Sequence, residues 1–253
     1  MSSTSPHALL LAAPPTGPAT WEEVARRLAH HGWSTDCADL FDEAGTAAVS
    51  SGGTAGLVDH LLDRAKGSVV IGHGLAVPLA LHLATRTEVA AVVLSNGPLG
   101  RLDPITRLGA RTARVLPAVA AAAFRPTALR AALASSAGMR RLVVNPYVMD
   151  RDMVVRVTEG WTADGPRRRA VSRWLAELPA EAARTDVPAA PVLLVWADED
   201  VLYPAHVADN ATAWLPGSTH LRIPGARHLH PIERPWELAD IVASHLARQD
   251  RAS

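Results

Sequence analysis

The chain of 253 residues contains one lysine, Lys66, and one cysteine, Cys37. A lone cysteine excludes an internal disulfide, and a reducing, cytoplasmic setting is the default expectation. Basic and acidic side chains balance at 25 each, so neither sign is in excess. That removes the charge signature of a nucleic-acid binder or of a protein drawn to an anionic membrane. No apolar run is long enough to cross a bilayer, and the runs at 8–13, 89–94 and 190–196 have the length of buried strands. A basic stretch followed by a long apolar one is missing from the N-terminus, so no signal peptide is expected. The sequence also lacks a metal-ligand cluster and a phosphate-binding loop, so no metal, nucleotide or other cofactor is expected. The basic residues other than Lys66 are all arginine, and alanine and proline abound. This pattern reads as the coding bias of a GC-rich bacterial genome and not as a binding signature. Nothing in the sequence sets an oligomeric state.

What is present is an alternation of apolar strands and helical patterns, which argues for a parallel sheet with helices on both faces. Strands are expected at 8–13, 33–40, 89–95, 191–196 and 220–223, and one more opens the segment 68–84. Helices are expected at 20–31, 55–66, 205–215 and 235–248, with another after the elbow strand ending near Arg86. Thr20 and Glu23 have the spacing of a capping box for the first helix. Residues 50–54, rich in serine and glycine, read as a loop. From 97 to 188 the pattern is helical, with no convincing strand. The expected organisation is a core of residues 1–96 and 189–253 with a helical cap of residues 97–188.

Three segments carry chemistry. Residues 68–84, SVVIGHGLAVPLALHLA, read as a buried strand, a tight turn and a helix, with small residues at Gly72, Gly74 and Ala76. Residues 197–204, ADEDVLYP, hold three acids before a proline. Residues 224–235, PGARHLHPIERP, hold His228 and His230. In this order, each after an expected strand, the segments resemble the nucleophile elbow, acid loop and histidine loop of the α/β-hydrolase fold superfamily. The resemblance covers nearly the whole chain except the cap. That fold has two antiparallel strands before its first parallel one. This chain begins at the parallel strand, so a shortened sheet of about six strands is expected.

The resemblance assigns the nucleophile position to Gly74, the triad acid to Asp200 and the triad histidine to His228. Asp198 and Glu199 are rival acids, and His230 is a loop residue. Glycine has no side chain to attack with, so acyl-enzyme chemistry is excluded at this position. One oxyanion donor in the family is the amide after the nucleophile, here Leu75. The other falls at Pro14 by counting back from Trp21, or at Pro15 with a shift of one, and proline has no N–H. A larger shift would bring in Thr16 or Gly17. The elbow nucleophile normally adopts positive φ, and glycine relieves that strain. An engineered serine-to-glycine exchange would account for Gly74 but leave the prolines unexplained.

A carboxylate that fixes one imidazole nitrogen leaves the other as a base. Asp200 and His228 are therefore expected to transfer protons; the bland alternative is an inherited remnant. Ser95 and Asn96 end an expected strand, where such sheets place ligands. Asn96 either binds substrate or caps the following turn. His73 and Gly74 sit at the elbow, and the cap offers Met149, Met153, Trp161 and Trp174 as contacts or core. Arg167, Arg168 and Arg169 read as a solvated helix face. The expected function is a cofactor-free enzyme acting on a hydrophobic small molecule by elimination, isomerisation or cyclisation, in natural-product biosynthesis. The alternatives are a hydrolase in which His228 activates water, and a non-catalytic ligand-binding protein.

Overall fold

A computed structural model of the protein describes residues 5–252. Its centre is one six-stranded sheet in the order β2-β1-β3-β4-β5-β6, with every neighbouring pair parallel. The strands are β1 (His7–Ala12), β2 (Ser34–Asp39), β3 (Val69–His73), β4 (Ala91–Ser95), β5 (Val192–Ala197) and β6 (Thr219–Ile223). This is the shortened sheet expected from the sequence.

Helices α1 (Glu22–His30), α2 (Glu43–Ala65) and α3 (Val77–Arg86) connect the first strands. Between β4 and β5 run α4 (Pro104–Val115), α5 (Pro117–Ala123), α6 (Pro126–Ala134), α7 (Ser136–Leu142), α8 (Arg151–Thr158) and α9 (Gly165–Ala182). No strand occurs there among the described residues. Then follow α10 (His206–Ala211), α11 (His230–Glu233) and α12 (Pro235–Ala252). Among the described residues, no helix is long and apolar enough to cross a membrane.

Alternation along the strands splits the core into two layers. Leu9, Leu11, Val70, Val92 and Leu194 face α2, α3 and α9, where Trp174 and Leu178 are buried. Leu10, Ile71, Val93 and Val195 face α1 and α12, against Leu28, Leu238 and Val242. A separate cluster under the cap joins Leu133, Leu142, Met149 and Val157 to Leu229.

Two local expectations are corrected. Residues 50–54 are not a loop. They lie within α2, where the Ser50 and Ser51 hydroxyls donate to carbonyls one turn back. The helix breaks only at Gly53, with φ 62° and ψ −144°. There the Glu177 carboxylate of α9 accepts from Thr54 N at 2.6 Å, and a Cβ on residue 53 would collide with that carboxylate. Nor does Thr20 cap α1. A 3₁₀ turn, Pro18–Trp21, precedes the helix, and the Thr20 hydroxyl is buried without a hydrogen bond.

The turn after β3 shows why small residues are needed. A Cβ on Gly72 would lie 2.7 Å from Ala80 Cβ on α3 and 2.9 Å from Ala76 O in the turn before it. Gly72→Ala is therefore expected to destabilise the fold by about 1–3 kcal/mol through overpacking. Urea unfolding checks this, and an unchanged midpoint would show that strand and helix can part without cost.

Candidate active site

Parallel strands deliver their C-terminal ends to one edge of the sheet, and the loops after β1, β3, β4 and β5 meet there. The loop after β5 carries Asp200, which is buried. Its Oδ1 accepts from Leu202 N at 2.7 Å and Tyr203 N at 3.2 Å. Its Oδ2 accepts from Asn96 Nδ2 at 2.7 Å and lies 2.9 Å from His228 Nδ1. The rival acids face elsewhere: Asp198 pairs with Arg222, and Glu199 with Arg227.

His228 points its other nitrogen at the turn after β3. Gly74 there has φ 58°, and a Cβ built on it would lie 3.4 Å from His228 Nε2. Gly74 thus adopts the left-handed conformation that glycine tolerates best. Pro14 and Pro15 lie at the end of β1, joined by a cis peptide bond. The next amide, Thr16 N, already donates to Ala13 O at 3.2 Å.

A cavity of about 520 Å³ opens over this point. His228, Leu75, Pro14 and Pro15 form its base. Leu133, Leu142, Trp174, Leu175 and Phe124 supply apolar walls, and Ile105, Leu108 and Thr112 of α4 line another side. Such a lining suits an apolar small molecule.

Several expected contacts lie elsewhere. Met153 and Trp161 do not line this cavity. Met153 packs into the cluster under the cap, and Trp161 is buried against Phe124, with ring centroids 5.6 Å apart. Met149 is buried in the same cluster as Met153. Asn96 is fully enclosed and its amide is committed, with Nδ2 on Asp200 and Oδ1 accepting from Ala197 N at 2.7 Å. It braces the acid loop and presents nothing to a substrate. Arg167 and Arg168 are half-buried and donate to the carbonyls of Gly160 and Thr162, so they stitch a loop to α9.

Behind His228 is a buried polar cluster. Ser95 Oγ lies 3.1 Å from His73 Nδ1 and 2.6 Å from His230 Nε2. All three residues are buried. The His73 ring centroid is 5.0 Å from that of His228. Burial, reinforced by the neighbouring His228, lowers the His73 pKa well below its ordinary value and pushes His230 down to about 3. Both rings are therefore neutral in the folded protein, whereas the unfolded chain protonates them below about pH 6.5. Stability should be complete above that pH and fall on acidification, continuing to about pH 3 for His230. The check is the urea midpoint against pH. Removing the ring in His230→Gln should flatten the acid limb by about one proton, and an unchanged slope would contradict the assignment.

Sequence reasoning missed Tyr203 and Asp103. Tyr203 OH donates to Asp103 Oδ2 at 2.9 Å, while Asp103 Oδ1 caps α4 by accepting from Ile105 N and Thr106 N. The link ties the first cap helix to the acid loop. Asp103 before Pro104 carries a capping signal, but the partner a hundred residues away leaves none. Glu233 makes a similar tie. Its Oε1 accepts from Val144 N and Asn145 N, and its Oε2 from Arg227 N.

No protein-family model matches the chain, and no curated protein matches it in sequence. Solved structures match it in fold. A thermophilic esterase from Thermogutta terrifontis shares 20% identity over 97% of this chain and 90% of its own, with a TM-score of 0.66. An epoxide hydrolase shares 15% over 98% of this chain and 93% of its own, at 0.72. An α/β hydrolase fold protein from Burkholderia ambifaria shares 18% over 94% and 90%, at 0.65. At these identities the likeness is one of fold, and the fold is that of the α/β hydrolases.

Proposed function

We propose that this protein is a cofactor-free enzyme that moves protons on an apolar small molecule, without forming an acyl-enzyme. The observation carrying the reading is the geometry of His228. Asp200 engages its Nδ1 at 2.9 Å, its Nε2 faces the side-chain-free Gly74, and the ring itself lines the cavity. Asp200 fixes the tautomer with the proton on Nδ1, which leaves Nε2 as the base. Nε2 takes a proton from an acidic C–H or O–H of the substrate, and Asp200 stabilises the imidazolium that forms. The proton returns to another atom of the same molecule in an isomerisation or cyclisation, or to a leaving group in an elimination. Pro14 and Gly74 both weigh against acyl transfer, since one lacks a donor and the other a nucleophile.

A second reading is hydrolysis by water that His228 activates. It is favoured by the names of two fold neighbours, an esterase and an epoxide hydrolase. The room above Gly74, beside Nε2, would also admit a water. One experiment separates the readings. Apolar β-dicarbonyl compounds, esters and epoxides are incubated with the protein in deuterated, ¹⁸O-labelled water. Deuterium uptake or rearrangement without ¹⁸O supports proton transfer. Incorporation of ¹⁸O supports hydrolysis. Binding without either label identifies a non-catalytic binder and ends both enzyme readings.

A further inference from the structure

The balanced charge of the whole chain conceals a local imbalance. Residues 97–149, which supply α4 to α7, contain eight arginines, no lysine and a single carboxylate, Asp103. Asp103 also lines the cavity, where its two oxygens accept from Tyr203 OH and two backbone amides. Arg141 matters most. It lines the cavity, and its guanidinium makes one long hydrogen bond, Nη1 to Ala137 O at 3.4 Å, with no carboxylate partner among the described residues. It stands next to Leu142, whose carbonyl accepts from Leu229 N at 2.8 Å, so this end of α7 abuts the loop of His228. On α4, Arg107, Arg111 and Arg114 are exposed and form no ion pair among the described residues; they project from the face opposite Ile105, Leu108 and Thr112, which line the cavity.

The geometry points to a ligand with an apolar body and an anionic head group, the body filling the cavity and the head held at its mouth by Arg141. A carboxylate will not enter an apolar cavity unpaired, because desolvation disfavours its charge. At the mouth it stays partly hydrated and meets a planar fork of N–H donors. The arginines of α4 add to the positive charge of the cap without touching the cavity. This inference rests on the reading of the cavity as the substrate site.

The test compares decanoate with its neutral planar isostere decanamide by isothermal calorimetry at neutral pH. Decanoate should bind about threefold to tenfold more tightly at about 20 mM salt, and the preference should shrink at about 200 mM. Arg141→Gln should abolish most of the preference while leaving decanamide affinity unchanged. Arg26→Gln, on α1, removes the same charge at a residue that does not line the cavity and should leave the preference intact. Equal binding of the two ligands, or a preference that survives in Arg141→Gln, overturns the role of Arg141 and leaves the cavity reading standing. Binding of neither ligand overturns both.

Discussion

His228→Ala should cut turnover by about 10²–10⁴, the worth of a positioned acid–base group. The substitution removes the one imidazole that both touches a carboxylate and lines the cavity. The fold should survive, because Asp200 keeps three other donors: Asn96 Nδ2, Leu202 N and Tyr203 N. Ligand affinity should change little, since Trp174, Leu175 and Leu142 supply the apolar walls. Asp200→Asn should also impair turnover, because an amide can donate to Nδ1 and so favour the wrong tautomer. Rates on any compound that the labelling experiment identifies provide the measurement. Full turnover in His228→Ala would mean that the chemistry lies elsewhere.

The second large effect is a failure to gain function. Gly74→Ser should leave ester hydrolysis at least about 10² below that of an ordinary esterase, because an oxyanion donor is worth about 10²–10³. A serine Cβ has room, 3.4 Å from His228 Nε2, so reach is not the obstacle. Nor is the φ of 58°, since the family's elbow nucleophile adopts positive φ as well; the oxyanion hole is. Pro14 and Pro15 offer no N–H, and the Thr16 amide is already engaged with Ala13 O. Hydrolysis of p-nitrophenyl butyrate is the assay. A rate within about tenfold of an ordinary esterase would show that Leu75 alone, or an unforeseen donor, suffices.

The fold was legible because buried parallel strands are written as short apolar runs. The runs at 8–13, 89–95 and 191–196 recur as β1, β4 and β5 within two residues of their expected bounds. Gly72 and Gly74 were legible because close approach and positive φ are demands that glycine meets best. The lining of the cavity was much less so. Trp161 and Trp174 have the same chemistry and both belong to the cap, yet only Trp174 faces the cavity. Helical periodicity indicates which face of a helix is apolar; it does not say what that face meets when six short helices pack at several angles. Asn96 misled for a related reason. Its position at the end of β4 was readable, but its enclosure by Asp200 and Ala197 is set by a loop a hundred residues away. The helical character of residues 50–54 was hidden because Glu177, on a distant helix, satisfies the one amide released at Gly53.

Glu233 has a mechanical consequence. One carboxylate clasps residues 144 and 145 of the cap with one oxygen and residue 227, beside His228, with the other. If the cap swings outward to admit a ligand, it must either break two charge-assisted amide bonds or drag the histidine loop along. In the first case the carboxylate is a latch, and opening rates will depend on its charge. In the second, the base is withdrawn from Gly74 whenever the door is open. Either way, cap and histidine loop are coupled through a carboxylate that does not line the cavity.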